Sequence, residues 1–120
     1  MPPANIKLDN YYSGDSWGGM LVGPVLINEA TPISALAAVR IQFRDSFGDL
    51  GYELNTVPTV GKGLINITDA DTWEIEVPAQ VLGLVAGRWD WDFECTDSIG
   101  FVVTLYRGVL TVKGDITHDN

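Results

Sequence analysis

The chain has 120 residues, of which 46% are hydrophobic and four are tryptophan, so its length and composition favour one folded domain over a disordered chain. Its formal net charge of −9 repels phosphate groups, and we therefore expect neither nucleic-acid binding nor attachment to an anionic membrane. A single cysteine excludes an internal disulfide and any metal site built from several cysteines.

The first part of the chain is predicted to be an arm, a loop and an interrupted strand. Residues 1–5 contain two prolines and should be a loose arm, and residues 6–8 suit a short edge strand. Residues 9–19 (DNYYSGDSWGG) are rich in turn-forming residues and aromatics, which indicates a loop. Residues 17–27 should form a strand that is bent or lies on a sheet edge, because Pro24 cannot donate a hydrogen bond to a ladder.

The middle of the chain reads as short strands separated by turns. Residues 37–45 alternate apolar and polar side chains, which is the period of a strand with one buried face. Residues 51–57 should return antiparallel to that strand after a turn at 46–49. Two further strands are predicted at 64–67 and 72–77. Residues 79–85 are the one candidate helix, a single turn that begins after Pro78.

Residues 88–117 form the most regular stretch. Trp89, Trp91, Phe93 and Cys95 alternate with three acidic residues, so we expect a strand with a buried apolar face and a solvated acidic face. A turn at 97–100 leads into a second strand, in which Gly108 is interpreted as a β-bulge.

About eight short strands with regular turns predict an all-β fold, an antiparallel β-sandwich of the Ig-like kind with at most one helical turn near 79–85. The predicted organisation is an N-terminal arm and Gly/aromatic loop (1–19), a single sandwich domain (20–117) and a tail (118–120). Cys95 falls on the buried face, where a free thiol is inert.

The side chains that could carry chemistry do not form a known catalytic motif. Two outward carboxylates could act as acid and base across a sugar, but acids that alternate along a strand are ordinarily a solvated face: Glu74, Glu76, Asp90, Asp92 and Glu94. Arg40 and Arg44 are expected to pair with some of them. His118 is the only histidine, so neither a catalytic triad nor a histidine metal cluster is indicated. We therefore predict no enzymatic activity, no cofactor and no metal.

The aromatic residues divide into two groups. The strand register places Trp73, Trp89 and Trp91 in the core. Tyr11, Tyr12 and Trp17 lie in the Gly-rich loop and are predicted to form a protein interface, where aromatic residues are enriched. The alternative for these three residues is packing within the loop or the core.

The C-terminal residues also form a spaced series in which a D-x-x-G turn leads to T-L-x-x-G-x-[LI]-x-V-x-x-D-[IV]-T. Its members are residues 96–100 (TDSIG), 104–105 (TL), 108–112 (GVLTV) and 115–117 (DIT). The series resembles small structural proteins of tailed bacteriophages and is similar to the N-terminal domain of phage baseplate upper proteins. Residues further upstream resemble the same family, so the resemblance covers about residues 35–117.

This resemblance implies a non-enzymatic virion component in the tail, baseplate or a capsid-associated decoration. Such a protein would be a homo-oligomer on a symmetric assembly, with other virion structural proteins as partners. Its location would be the virion, after synthesis in the host cytoplasm, since residues 1–10 do not read as a signal peptide. The alternative is a carbohydrate-binding β-sandwich module for host-surface attachment, which needs Trp73, Trp89 and Trp91 to form an exposed row.

Overall fold

The structure is a computed structural model that describes residues 4–5, 8, 10–27, 30, 32, 34–57 and 63–114. These residues form twelve strands and no helix, and therefore include no helix that could cross a membrane. The strands are β1 (Ala4–Asn5), β2 (Tyr11–Tyr12), β3 (Ser16–Trp17), β4 (Met20–Val22), β5 (Leu36–Arg44), β6 (Leu50–Asn55), β7 (Gly63–Leu64), β8 (Asn66–Asp69), β9 (Glu74–Val77), β10 (Gln80–Val81), β11 (Gly87–Asp97) and β12 (Val102–Lys113).

The strands are arranged in two main sheets and one small ribbon. The larger sheet has the order β1-β12-β11-β5-β6-β7, with β2 also paired to β12. The smaller sheet has the order β4-β9-β8, and β10 pairs with β3. Most pairs are antiparallel, but β1 and β2 run parallel to β12, and β7 runs parallel to β6. The predicted all-β sandwich is confirmed, with mixed rather than purely antiparallel sheets.

The core is built by the alternation that the sequence shows in β5 and β11. Phe43 and Phe93 are fully buried, and they join Ile75 and Val77 of the smaller sheet in one hydrophobic cluster. Burying side chains of this size supplies the main driving force for folding.

Trp73 joins the two layers from an unusual backbone position. It lies in the turn before β9, not in a strand beginning at residue 72, and its φ is +56°. A left-handed conformation is unfavourable for a bulky residue. Full burial of the indole offsets this cost, and Nε1 donates a hydrogen bond to the Ser34 carbonyl oxygen at 2.9 Å.

Strand β4 confirms the expected edge position. It ends at Val22, directly before Gly23-Pro24, and it pairs only with β9 among the described strands. Gly23 has a φ of +102°, and a Cβ atom there would lie 2.3 Å from the Trp73 carbonyl oxygen. Glycine is therefore required at this bend.

Two local predictions are wrong. The candidate helix at 79–85 contains β10 instead, because Gln80 and Val81 pair with Trp17 and Ser16. Gly108 is not the bulge: it lies directly opposite Trp91, and the register shifts between Phe93 and Glu94. The residue of β12 without an opposite partner there is Leu105.

The N-terminal part of the chain is more structured than a loose arm and loop. Ala4–Asn5 pair with β12, which corrects the prediction of a loose arm at those residues, and β2 pairs further along the same strand. Of the edge strand expected at 6–8, residues 6 and 7 lie outside the described residues. The domain boundaries, including the tail at 118–120, stay predictions.

Replacing Phe93 with alanine should lower the free energy of unfolding by about 3–5 kcal/mol, the usual cost of removing a buried phenyl ring. Phe47→Ala is the matched control, because Phe93 is 0% and Phe47 89% exposed. Its effect should stay within about 0.5 kcal/mol. Urea unfolding followed by tryptophan fluorescence measures both, and similar losses for the two variants would contradict this core.

The Cys95 thiol should be unreactive while the chain is folded. Burial, with a smaller contribution from Glu94, raises its pKa to about 12, so little of the nucleophilic thiolate exists at pH 8. An aromatic disulfide reagent should label the native chain at least about 100-fold more slowly than the chain in guanidinium. The control Cys95→Ser/Ser98→Cys carries an exposed thiol and should react at once; equally fast labelling of the native parent would refute the buried thiol.

Candidate functional site

One candidate surface is the outward face of the four central strands of the larger sheet. The register brings its side chains into rows across β6, β5, β11 and β12. We call this surface the charged face, and it consists of Arg40, Gln42, Arg44, Glu53, Asn55, Asp90, Asp92, Glu94, Thr104 and Arg107.

Cross-strand contacts order the charged face. Arg40 Nη2 lies 2.6 Å from Glu94 Oε1, which confirms the expected pairing of this arginine with an acid. Gln42 Nε2 donates to Glu53 Oε1 at 2.8 Å, and Arg44 Nη2 donates to Gln42 Oε1 at 2.8 Å. The side chains of Arg40 and Glu94 keep 43% and 26% of their exposure, so their ion pair stabilises the fold by less than about 1 kcal/mol.

An open hollow of about 460 Å³ lies in the charged face. It is bordered by Arg44, Asp90, Asp92 and Arg107, among others. Partial burial, and next the neighbouring Glu94, raises the pKa of the Asp92 carboxyl, while nearby arginines act in the opposite direction. Arg107 is not distinctive in the sequence, where it follows an apolar run, and only its position opposite Asp92 places it on this face.

The hollow does not bring a general acid and base together in an enclosed pocket. Asp90 and Asp92 are two residues apart on one strand, on an open face that they share with guanidinium groups. The residues that the structure describes include no group of three histidine, cysteine, aspartate or glutamate side chains that could hold a metal ion. The arrangement suits recognition of charges better than proton transfer.

A second candidate surface is the end of the β11–β12 hairpin, residues 99–102, which we call the hairpin tip. The buried Asp97 carboxylate fixes it: Oδ1 accepts hydrogen bonds from the backbone N–H groups of Ile99 at 3.0 Å and Phe101 at 2.8 Å. Gly100 adopts a φ of +90° and donates its N–H to the Asp97 carbonyl oxygen at 3.1 Å. The turn is therefore preorganised.

The hairpin tip presents apolar side chains to solvent. Ile99 is 76% exposed, and Phe101 and Val102 are about half exposed. The sequence predicts a turn followed by a strand here, but it does not predict an exposed apolar surface. The available signal was Ile99, an apolar residue within a turn that otherwise consists of Asp, Ser and Gly.

Acidic residues flank the hairpin tip. Ser98 donates its N–H to the Ala35 carbonyl oxygen at 2.8 Å, and Leu36 donates to Ala70 at 2.9 Å. Through residues 35 and 36, these two bonds connect the base of the tip to the end of β8 at Asp69 and to the following turn, which contains Asp71. The carboxylate of Asp69 accepts the N–H of Asp71 at 3.0 Å, so it forms part of its own turn.

The three predicted interface residues are not equally accessible. Tyr11 and Trp17 are only 4% and 8% exposed, because β2 and β3 pair with β12 and β10, whereas Tyr12 is 39% exposed. The Tyr11 hydroxyl accepts the Leu82 N–H at 3.1 Å and donates to the Asp15 carbonyl oxygen. The predicted interface role stays a prediction, and of the three side chains Tyr12 offers the most surface for it.

The burial of three tryptophans contradicts the carbohydrate-binding alternative. Trp73, Trp89 and Trp91 are all buried, as predicted, although Trp73 lies in a turn and not in a strand. Sugar binding through an exposed row of these rings is therefore wrong.

The chain is similar in structure to a known protein. No family model matches the chain, and no curated protein matches it. Among solved structures, the crystal structure of CopC from Methylosinus trichosporium OB3b is similar, with 18% sequence identity and a TM-score of 0.44. The alignment covers 92% of this chain and 87% of that chain.

This comparison corrects the resemblance to tailed-phage structural proteins. The similar solved structure is a CopC and not a virion protein, and the expected baseplate-like family, virion assembly function and virion location are withdrawn with it. The residues that carried the resemblance are explained by local structure, because Thr104, Leu105 and Gly108 belong to one hairpin: Thr104 and Gly108 lie opposite residues of β11, and Leu105 is the bulge. At this identity and TM-score the similarity gives the chain no ligand and no partner.

Removing the Asp92 carboxylate should change how stability depends on pH. Because the folded-state pKa of Asp92 is raised, the folded chain binds this proton more tightly than the unfolded chain, so its contribution to stability is lost as pH rises through the folded-state pKa. The stability of Asp92→Asn relative to the parent should thus increase between pH 3 and pH 7, measured by urea unfolding. Asp90→Asn removes a more exposed carboxylate from the same strand, and an equal trend there would contradict the assignment.

Proposed function

We propose that this chain is a non-enzymatic binding module that holds a protein partner through its hairpin tip. The observation that carries the proposal is a set of large apolar side chains kept in solvent on a turn fixed by the buried Asp97. A turn of this kind would be satisfied by polar residues alone, so Ile99 and Phe101 are not needed for its geometry.

The rigidity of the tip favours binding. Association costs free energy for every loop and side chain that becomes ordered, and a turn already held by hydrogen bonds to one carboxylate avoids most of that cost. Exposed apolar side chains that lie together are typical of interaction surfaces, because covering them removes apolar area from water.

The flanking charges indicate the chemistry of the partner. Asp69 at the end of β8 and Asp71 in the following turn are connected to the base of the tip through residues 35 and 36, and neither residues 69–73 nor residues 97–102 contain lysine or arginine. The partner should therefore present an apolar pocket with a basic rim. An anionic lipid surface would be repelled by the same carboxylates, and the net charge of −9 likewise supports the predicted absence of membrane and nucleic-acid contacts.

The variant Ile99→Ser/Phe101→Ser should lose its partner without losing its fold. The immobilised parent chain, exposed to an extract of its source cell, should retain a basic protein that the double variant retains at least about tenfold less, since each lost apolar anchor weakens binding by about 1 kcal/mol or more. Quantitative mass spectrometry measures the retained proteins, and thermal unfolding confirms that the variant is folded.

Phe47→Ser is the matched control, because Phe47 is an exposed aromatic residue in the turn between β5 and β6, at the opposite end of the larger sheet. It should retain the same protein as the parent. If no protein distinguishes the tip variant from both the parent and this control, the hairpin tip is not the docking site.

A further inference from the structure

We infer that the charged face is self-complementary and pairs two copies of this chain in a two-fold dimer. The inference uses a different surface from the hairpin tip and does not depend on the function proposed for it. It rests on the order of charges across the larger sheet.

The charges on this face alternate by strand. Within three rows of the sheet, the outward charged residue of β12 is Arg107, β11 supplies Asp90, Asp92 and Glu94, β5 supplies Arg40 and Arg44, and β6 supplies Glu53. Arg88 of β11 lies one row beyond them and forms an ion pair with Asp90 at 3.5 Å. The sheet therefore displays four parallel columns of positive, negative, positive and negative charge. Neighbouring columns are separated by the strand spacing of about 4.8 Å.

A two-fold axis that runs along the strands, in the plane of contact and between β11 and β5, brings opposite columns together. Rotation about it exchanges left and right across the sheet but preserves the position along the strands. The β11 column of one copy then lies over the β5 column of the other, and β12 lies over β6. Negative meets positive in all four columns.

The rows match as well as the columns. Glu94 and Arg40 share one row, Asp90 and Arg44 another, and the row between them contains Asp92, Gln42, Arg107 and Glu53. Each acid of β11 therefore faces Arg40, Gln42 or Arg44 of the second copy at the same height. In the same way Arg107 faces Glu53 of the second copy.

Arg107 is the residue whose surroundings most favour this dimer. Its guanidinium group makes no hydrogen bond or ion pair with any residue that the structure describes, although it lies opposite Asp92 in the sheet. Glu53 accepts hydrogen bonds from Gln42 and Asn55, one on each carboxylate oxygen, and in the dimer this carboxylate would also face the Arg107 guanidinium group of the second copy. The dimer therefore contains the contact between Arg107 and Glu53 twice, once on each side of the axis.

The size of the face indicates a weak contact. Four strands about 4.8 Å apart and three rows of side chains about 6.8 Å apart outline about 400 Å² per copy. A total of about 800 Å² is smaller than a standard specific interface, so the dimer should be weak and readily reversible. Since its contacts are charged and near the surface, it should weaken as salt rises.

Charge reversal tests the pairing directly. Analytical ultracentrifugation of the whole chain should show a monomer–dimer equilibrium at 20 mM salt that shifts towards monomer at 500 mM. Arg107→Glu and Glu53→Arg should each weaken dimerisation at least about tenfold, because each places like charges opposite each other. The double variant Arg107→Glu/Glu53→Arg, which keeps the parent's net charge, should restore the dimer to within about threefold.

Three controls separate this contact from general charge effects and from the hairpin tip. Lys113→Glu and Asp71→Arg make the same changes in charge outside the three rows of the charged face, at the end of β12 and in the turn after β8, and should leave the dimer intact. Ile99→Ser/Phe101→Ser should also dimerise like the parent. A chain that is monomeric at low salt, a dimer indifferent to both single reversals, or a double variant that fails to recover would each overturn the inference.

Discussion

The arrangement of the molecule depends on one strand, β11, which is hydrogen-bonded to β5 on one side and β12 on the other. Its side chains alternate strictly, so the register that buries Trp91 and Phe93 also projects Asp90 and Asp92 from the opposite face. A shift by one residue would bury the acids and expose the aromatics. The free energy gained by burying the core side chains therefore also fixes the positions of the side chains on the charged face.

Much of the larger sheet could be predicted from the sequence because its signals are local. The alternation in β5 and β11 predicts both strands and the burial of Trp91 and Cys95. Residues 79–85 show the limit: a proline followed by apolar residues resembles a helix start, but pairing of Gln80 with the distant Trp17 decides the structure. Tyr11 illustrates the same point, since its burial comes from a parallel pairing with β12 that leaves no pattern in a two-residue strand.

The candidate surfaces were harder to predict because each combines residues that are distant in the chain. Arg107 can be assigned to the charged face only once it is known to lie opposite Asp92. The bulge at Leu105 sets the strand register that brings the two residues together. The hairpin tip depends on the buried carboxylate of Asp97, which looks like any other turn aspartate in sequence. The wrong assignment to a phage family has a related cause, as hairpin residues that satisfy a common β-register are shared by unrelated sandwiches.

The position of the hairpin tip, at one end of the longest strands, has a consequence for a paired molecule. An axis parallel to the strands keeps both ends of the sheet where they are, so two tips would emerge side by side and point in the same direction. A partner with two neighbouring pockets would then engage both at once, and its second contact would form at a high effective concentration. Weak individual contacts would become a durable attachment through avidity, and salt, by separating the two copies, would release it.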